Sequence, residues 1–186
     1  MPSSYTAIES GQDIPLEELE LFNIFQGLSQ EKLEELREII EVVRFDTDEP
    51  VIRDGEVGDT FYLLLEGEVE VTKTLVMRMS RQEVDQTDKS LIRLRSEPHP
   101  EFGKPAFGEM ALFSAKSKRT ATVTPVRPSI LGVIQRDPFF KLCEADMEIG
   151  YRVSSNIACV LIDRLDKANE DVMNLTTALS FVLAAH

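Results

Sequence analysis

Pro50-Val51-Ile52-Arg53-Asp54-Gly55-Glu56-Val57-Gly58-Asp59-Thr60-Phe61-Tyr62-Leu63-Leu64-Leu65-Glu66-Gly67-Glu68-Val69-Glu70-Val71 is the stretch that decides the fold. Short β-rich runs, Phe61–Leu65 and the alternating Val69-Glu70-Val71, are separated by closely spaced glycine turns at Asp54-Gly55-Glu56, Gly58-Asp59 and Glu66-Gly67. Glycine supplies the backbone angles that tight turns need, and many short strands joined this way point to a small barrel or jelly roll. Further strands are expected at Leu91–Leu94, Ala121–Val126 and Ser129–Ile134. The polar run from Met77 to Ser90 reads as an inserted loop in a long hairpin, and Ser96 to Lys104, with Pro98-His99-Pro100, as a second irregular segment.

Upstream, residues 1–14 are polar and aperiodic and are expected to form a loose arm. From Pro15 the spacing turns helical through Leu16, Leu19, Phe22 and Ile24-Phe25 until Gly27. Ser29 is the expected N-cap of a second helix whose apolar face is Leu33, Leu36, Ile39, Ile40 and Val43. Downstream, Asp137-Pro138 reads as an N-cap followed by proline at the first helical position, and only Gly150 interrupts a helix to His186. Leu161, Leu165, Ala168, Val172, Leu175, Leu179 and Val182 repeat at spacings of 4, 3, 4, 3, 4 and 3, a heptad seam. The organisation expected is an arm at 1–14, helices and β-roll at 15–137, and C-terminal helices at 138–186.

The 186 residues carry 20 Lys and Arg against 33 Asp and Glu, a net charge of −13. Nucleic-acid affinity comes largely from basic side chains that neutralise phosphates, so no nucleic acid is expected as a partner of this chain. The excess is uneven: residues 1–50 hold 3 basic and 13 acidic groups, 51–137 hold 13 of each, and 138–186 hold 4 and 7. Cys143 and Cys159 are too few for a disulfide framework and read as thiols of a reducing compartment. No signal-like or membrane-spanning apolar run is present, so no membrane association and a cytoplasmic location are expected. His99 and His186 lie far apart with no ligand-spaced cluster around them, so neither a metal nor a catalytic triad is expected, and the chain reads as no enzyme.

The chemistry concentrates in Phe107-Gly108-Glu109-Met110-Ala111-Leu112 and Lys118-Arg119-Thr120-Ala121-Thr122-Val123. A glycine at the entry to a short helical turn lets backbone N–H groups approach an anion. The Arg119 guanidinium is a fork suited to phosphate oxygens, and Glu109, which repels phosphate, accepts hydrogen bonds from a sugar hydroxyl. Such a site suits a ribose phosphate. The competing reading of the pair is a Glu109–Arg119 salt bridge that braces an empty cassette. Gly55 and Gly58 are read as turn residues rather than ligand contacts.

Gly55-Glu56-x-Gly58-Asp59-x-x-Tyr62-x-Leu64-x-x-Gly67-x-Val69, then Phe107-Gly108-Glu109-x-Ala111-Leu112, then Arg119-Thr120-Ala121-Thr122-Val123 resembles the cyclic nucleotide-binding domain family over about residues 22–170. The spacing from Leu112 to Arg119 is similar to that of bacterial catabolite-activator-type (CRP-like) effector domains. The resemblance implies a mainly β fold with flanking helices: an eight-stranded double-stranded β-helix, or jelly roll, plus a long C-terminal helix. It implies cAMP or cGMP as ligand, Glu109 on the ribose 2′-hydroxyl and Arg119 on the cyclic phosphate. Thr120 and the backbone of Gly108, Met110 and Ala111 would assist beside Phe107, and Gly67 would hold a turn lining the pocket. Thr120 does not choose between the two bases. Arg164, on the helix that closes the pocket in this family, is expected either to stack on the purine, to reach across a dimer, or to be a solvated helix arginine.

An apolar helix stripe usually packs on its own domain, but this one is heptad-spaced on a tail that projects past a complete fold, and it predicts a parallel homodimer through Leu161, Leu165, Val172, Leu175 and Leu179. With the resemblance, the expected whole is a cyclic nucleotide sensor with an unidentified effector protein as its output. In related transcription regulators a helix-turn-helix domain follows the dimer helix, and none is expected in a sequence that stops at His186. The alternatives are a nucleotide-free scaffold of the same fold or a shortened transcription regulator.

Overall fold

The computed structural model describes residues 7–10, 14–78, 84–100, 103–114 and 118–184. Its elements are β1 (Ala7–Ser10), α1 (Leu16–Glu20), a 3-10 turn (Asn23–Phe25), α2 (Gln30–Arg37), β2 (Ile40–Phe45), β3 (Thr60–Glu66), β4 (Glu68–Arg78), β5 (Val84–Arg95), β6 (Ala106–Phe107), α3 (Met110–Phe113), β7 (Thr122–Pro125), β8 (Ser129–Gln135), α4 (Arg136–Ala145) and α5 (Met147–Ala184).

Strand β3 sets the architecture because it is buried on both faces. Successive strand side chains alternate sides. Phe61, Leu63 and Leu65 therefore enter one core with Phe22, Phe25, Leu33, Leu36, Phe139, Ile149 and Val153, while Tyr62 and Leu64 enter a second with Val43, Val69, Phe107, Val123, Leu131 and Val133. The second core lies between two antiparallel sheets, one ordered β1-β2-β8-β3-β6 and the other β5-β4-β7. The first core joins the outer face of the five-stranded sheet to the helices.

The roll is mainly β with flanking helices, and seven of the strands, β2 to β8, build it. An eighth roll strand, which the resemblance implied, is not formed among the described residues: the segment Pro50 to Val57 makes the isolated bridges Ile52 to Val123 and Val57 to Lys118. Pro50 has no N–H to give a ladder, and Gly55 bends the chain with φ +81°. The remaining strand, β1, pairs with β2 inside the segment expected to be a loose arm. Residues 1–6 and 11–13 of that segment lie outside the described residues.

Three expectations are corrected. The helical face drawn through Ile40 and Val43 is strand β2, whose burial on two faces (Ile40 and Val42 in one core, Val43 and Phe45 in the other) imitates helical spacing. The polar run at Met77–Ser90 is mostly strand: β4 and β5 pair from Glu68–Arg95 to Arg78–Val84, with one register shift between Val71 and Thr72. Helix α4 begins at Arg136 after Gln135, so Asp137 and Pro138 lie inside its first turn. The two C-terminal helices part at Asp146, whose Oδ1 accepts the N–H groups of Glu148 (2.8 Å) and Ile149 (3.2 Å). Gly150 stays helical, and a Cβ there would lie 3.0 Å from that of Cys143, so it sets how closely α4 and α5 approach.

At 38 residues α5 is about 57 Å long at 1.5 Å per residue. Ile149, Val153 and Ile157 are buried and Leu161 still packs on the helical core, but Leu165, Val172, Leu175, Leu179 and Val182 are exposed. The seam therefore starts past Leu161, which serves its own chain. No helix among the described residues is long and apolar enough to cross a membrane.

Candidate functional site

Arg119 is fixed by its backbone before its side chain does anything. Its N–H donates to Glu56 O at 2.8 Å and its carbonyl accepts the Gly55 N–H at 2.9 Å, so the chain ahead of β7 is stitched to the glycine loop. The guanidinium then runs inward. Nη2 donates to Thr60 O and to Thr60 Oγ1, both at 2.8 Å, and Nη1 to Gly108 O at 3.4 Å. Its carbon lies 5.9 Å from the Tyr62 ring centre, and Tyr62 stacks on Phe107 at 5.4 Å and 15°. Burial lowers the affinity of Arg119 for its proton, opposed by Tyr62, Asp59 and Glu109. A guanidinium still stays charged throughout the accessible pH range.

Two glycines make room for it. A Cβ at Gly58 would lie 2.5 Å from Arg119 Nε, and one at Gly108, where φ is +83°, would lie 2.9 Å from Nη1 and 3.1 Å from Thr60 O. Gly58 is thus more than a turn residue. Neither Gly58 as a cradle nor Thr60 as an acceptor was expected, and only the spacing of Gly58 within the glycine loop pointed toward it.

Glu109 is buried beside this cradle at 8% exposure. The Glu109–Arg119 salt bridge considered from sequence is not formed. Instead Glu109 Oε1 accepts from Arg164 Nη1 at 2.9 Å, and Arg164 Nη2 reaches Ala106 O at 3.2 Å. Arg164, half-exposed, thus ties α5 to the cassette within this chain. Helix α3 is a single turn in which Ala111 N–H bonds to Gly108 O and Leu112 N–H to Glu109 O, both at 3.1 Å. The buried Ala111 amide is thus engaged within the turn, while Met110 is half-exposed.

Phe107, Gly108, Glu109, Met110, Ala111, Arg119 and Arg164 come together. Gly67 does not. Its turn follows Glu66, at the opposite end of β3 from Thr60, about 20 Å away at strand rise. There φ is +103° and a Cβ would strike Ser129 Oγ at 2.2 Å, so its demand is the packing of β3 and β4 against β8. Thr120 is exposed beside Arg119, and its carbonyl accepts from Lys73 Nζ at 2.7 Å. Among the described residues there is no cluster of three His, Cys, Asp or Glu able to hold a metal ion.

The cassette is wired to the helices behind it. Arg136 Nε donates to Leu112 O at 2.9 Å, Phe113 meets Phe140 edge-on at 6.3 Å, and Arg136 N–H donates to Asp59 O at 2.9 Å. These contacts join α3 to α4, and Arg164 joins Glu109 to α5.

No family model matches the chain. It is 33% identical over 125 residues to a cAMP-dependent protein kinase regulatory subunit of Dictyostelium discoideum, covering 67% of this chain and 34% of that protein. It is 30% identical over 155 residues to a cGMP-dependent protein kinase of Eimeria tenella, covering 78% of this chain and 13% of that protein. A cyclic nucleotide-binding domain from Methylobacillus flagellatus superposes with TM-score 0.71 at 20% identity, over 91% of this chain and 87% of that one. The chain shares the fold of the cyclic nucleotide-binding domains. The Thermus thermophilus catabolite activator protein superposes on this cyclic nucleotide-binding fold with TM-score 0.66 at 21% identity, over 83% of this chain and 63% of that one. The regulatory domain of Toxoplasma gondii PKA, crystallised with cAMP, does so with TM-score 0.55 at 20% identity, over 75% and 48%. The chain spans about a third of the first of the two kinase relatives and about an eighth of the second.

Proposed function

We propose that this chain is a regulatory sensor that binds a cyclic purine nucleotide, cAMP or cGMP, with the cyclic phosphate at Arg119 and the ribose 2′-hydroxyl at Glu109. The observation that carries this is the cradle at Arg119: two glycines clear the space around a partly buried guanidinium beside a buried carboxylate. A guanidinium offers charged hydrogen bonds to phosphate, and the carboxylate accepts from a sugar hydroxyl. The names of the relatives, cAMP- and cGMP-dependent, support the same class of ligand. The chain acts here as a non-enzymatic module.

The regulatory step is a population shift. A ligand moves an equilibrium only by binding one arrangement better than another. Ligand at Glu109 competes with or joins Arg164, and ligand at Gly108 presses on the α3 turn that holds Arg136 and Phe140. Both routes end on α4 and α5, whose exposed Leu165, Val172, Leu175 and Leu179 form the seam of a homodimer. An effector protein reads the resulting arrangement.

One observation favours a second reading, a nucleotide-free scaffold: Arg119 is already bonded to Thr60 and Gly108, and Glu109 to Arg164. Calorimetric titration of cAMP and of cGMP into nucleotide-free protein separates the two. Saturable heat with either nucleotide is the expected result. Its absence with both leaves the scaffold.

A further inference from the structure

The inner face of β4 carries Val69, Val71 and, two residues further on, Lys73. Val69 is buried and Val71 packs against the core between the sheets, so alternation puts Lys73 on the side of the roll that opens toward the Arg119 segment. Its ammonium bonds two separate pieces of chain there. Nζ lies 2.9 Å from Asp54 Oδ1 and 2.9 Å from Oδ2, in the glycine loop, and 2.7 Å from Thr120 O, one residue past Arg119.

Those two pieces are the ones that hold the Arg119 backbone. The loop accepts the Arg119 N–H at Glu56 O and gives the Gly55 N–H to Arg119 O, and Asp54 N–H donates to Thr122 Oγ1 at 3.1 Å. The remaining backbone bonds between the two pieces join Val51 and Ile52 to Val123, and the two meet through isolated bridges rather than as paired strands. A two-residue ion pair at a half-exposed site contributes little to overall stability. A cation that also bonds a main-chain carbonyl fixes where that chain runs.

We propose that Lys73 is a positioning residue for Arg119: by clamping Asp54 to the Thr120 carbonyl, it holds the loop and the 119–122 segment together at the depth from which the guanidinium enters the cradle. It rests on the reading of Arg119 as the phosphate ligand for its effect on binding, but its effect on the backbone stands apart from any ligand.

Amide hydrogen exchange on nucleotide-free wild-type, Lys73→Met and Lys73→Arg proteins reads that backbone directly. Lys73→Met is expected to speed exchange of the Gly55 and Arg119 amides by about tenfold or more while Val42 and Val43 in β2 are unchanged, and Lys73→Arg restores most of the protection. Titration with cAMP and cGMP then shows Lys73→Met weakened by about tenfold for both. Unchanged exchange at Gly55 and Arg119, or the same acceleration at all four amides, overturns the proposal. Weaker binding with unchanged exchange also overturns it, because Lys73 would then touch the ligand itself. If wild-type protein binds neither nucleotide while Gly55 and Arg119 respond to Lys73→Met as expected, the positioning role stands and the nucleotide reading alone falls.

Discussion

Gly58 and Gly108 are both close to the Arg119 guanidinium, but they differ in a way that makes one the cleaner probe. Gly108 has φ +83°, so any side chain there adds backbone strain to the clash. Gly58 is not among the positive-φ residues, so Gly58→Ala changes little except the 2.5 Å approach to Arg119 Nε. The variant should fold with a thermal midpoint near that of wild type and bind cyclic nucleotide about tenfold more weakly or worse, a loss of about 1.4 kcal/mol. Equal affinity by calorimetry would show that the guanidinium's present place is irrelevant to the ligand. Arg119, Glu109 and the glycine before them could be read from sequence because one local motif contains them. Thr60 was not singled out, and Arg164 was named only through the resemblance and without its Glu109 partner: they meet the cassette from residues 59 before Arg119 and 55 after Glu109. A contact formed by tertiary folding leaves no spacing to read.

Strand β3 was recognisable because an uninterrupted apolar run bounded by turn glycines has few other uses, whereas β2 was mistaken for the end of a helix because burial on both faces erased its alternation. The junction of α4 and α5 is governed by Asp146, a break that the sequence expectation assigned to Gly150. Asp146 caps α5 and pairs with Lys32 of α2, and the hydrogen bond from Lys32, ahead of the Ile149 amide, holds its carboxyl below the usual value. A carboxyl lowered in the folded state stabilises at pH above its unfolded value, about 3.9, and that contribution disappears as pH falls through the lower folded value. Asp146→Asn should therefore be less stable than wild type near neutrality, and the gap in urea midpoints should close as pH drops below about 4. A gap of the same size at every pH would assign the effect to lost capping alone.

The chain's charge of −13 is carried mainly before Val51, and the region from Val51 to Asp137 that holds the cradle has equal numbers of acidic and basic groups, so a small anion is not repelled by its own pocket's neighbourhood. At the other end, Val172–Ala184 has no charged residue at all, and its apolar side chains stand clear of the body that produced them. Two copies of an acidic protein can meet there at the least electrostatic cost. Light scattering at micromolar concentration should give a dimer for wild type and a monomer for the double variant Leu175→Glu, Leu179→Glu, because like charges would then face each other in the seam. A wild-type monomer would contradict it. In the proposed function, the link between this helix and the pocket, Arg164 on Glu109, is the route from ligand to dimer, and everything begins with whether Arg119 holds a cyclic phosphate. The most direct measurement is a paired calorimetric titration of cAMP and cGMP into wild-type and Arg119→Ala protein. Saturable binding by wild type, weakened in the variant by more than about 1.5 kcal/mol, is the predicted result. Equal affinity of the two proteins, or no binding by wild type, would contradict it.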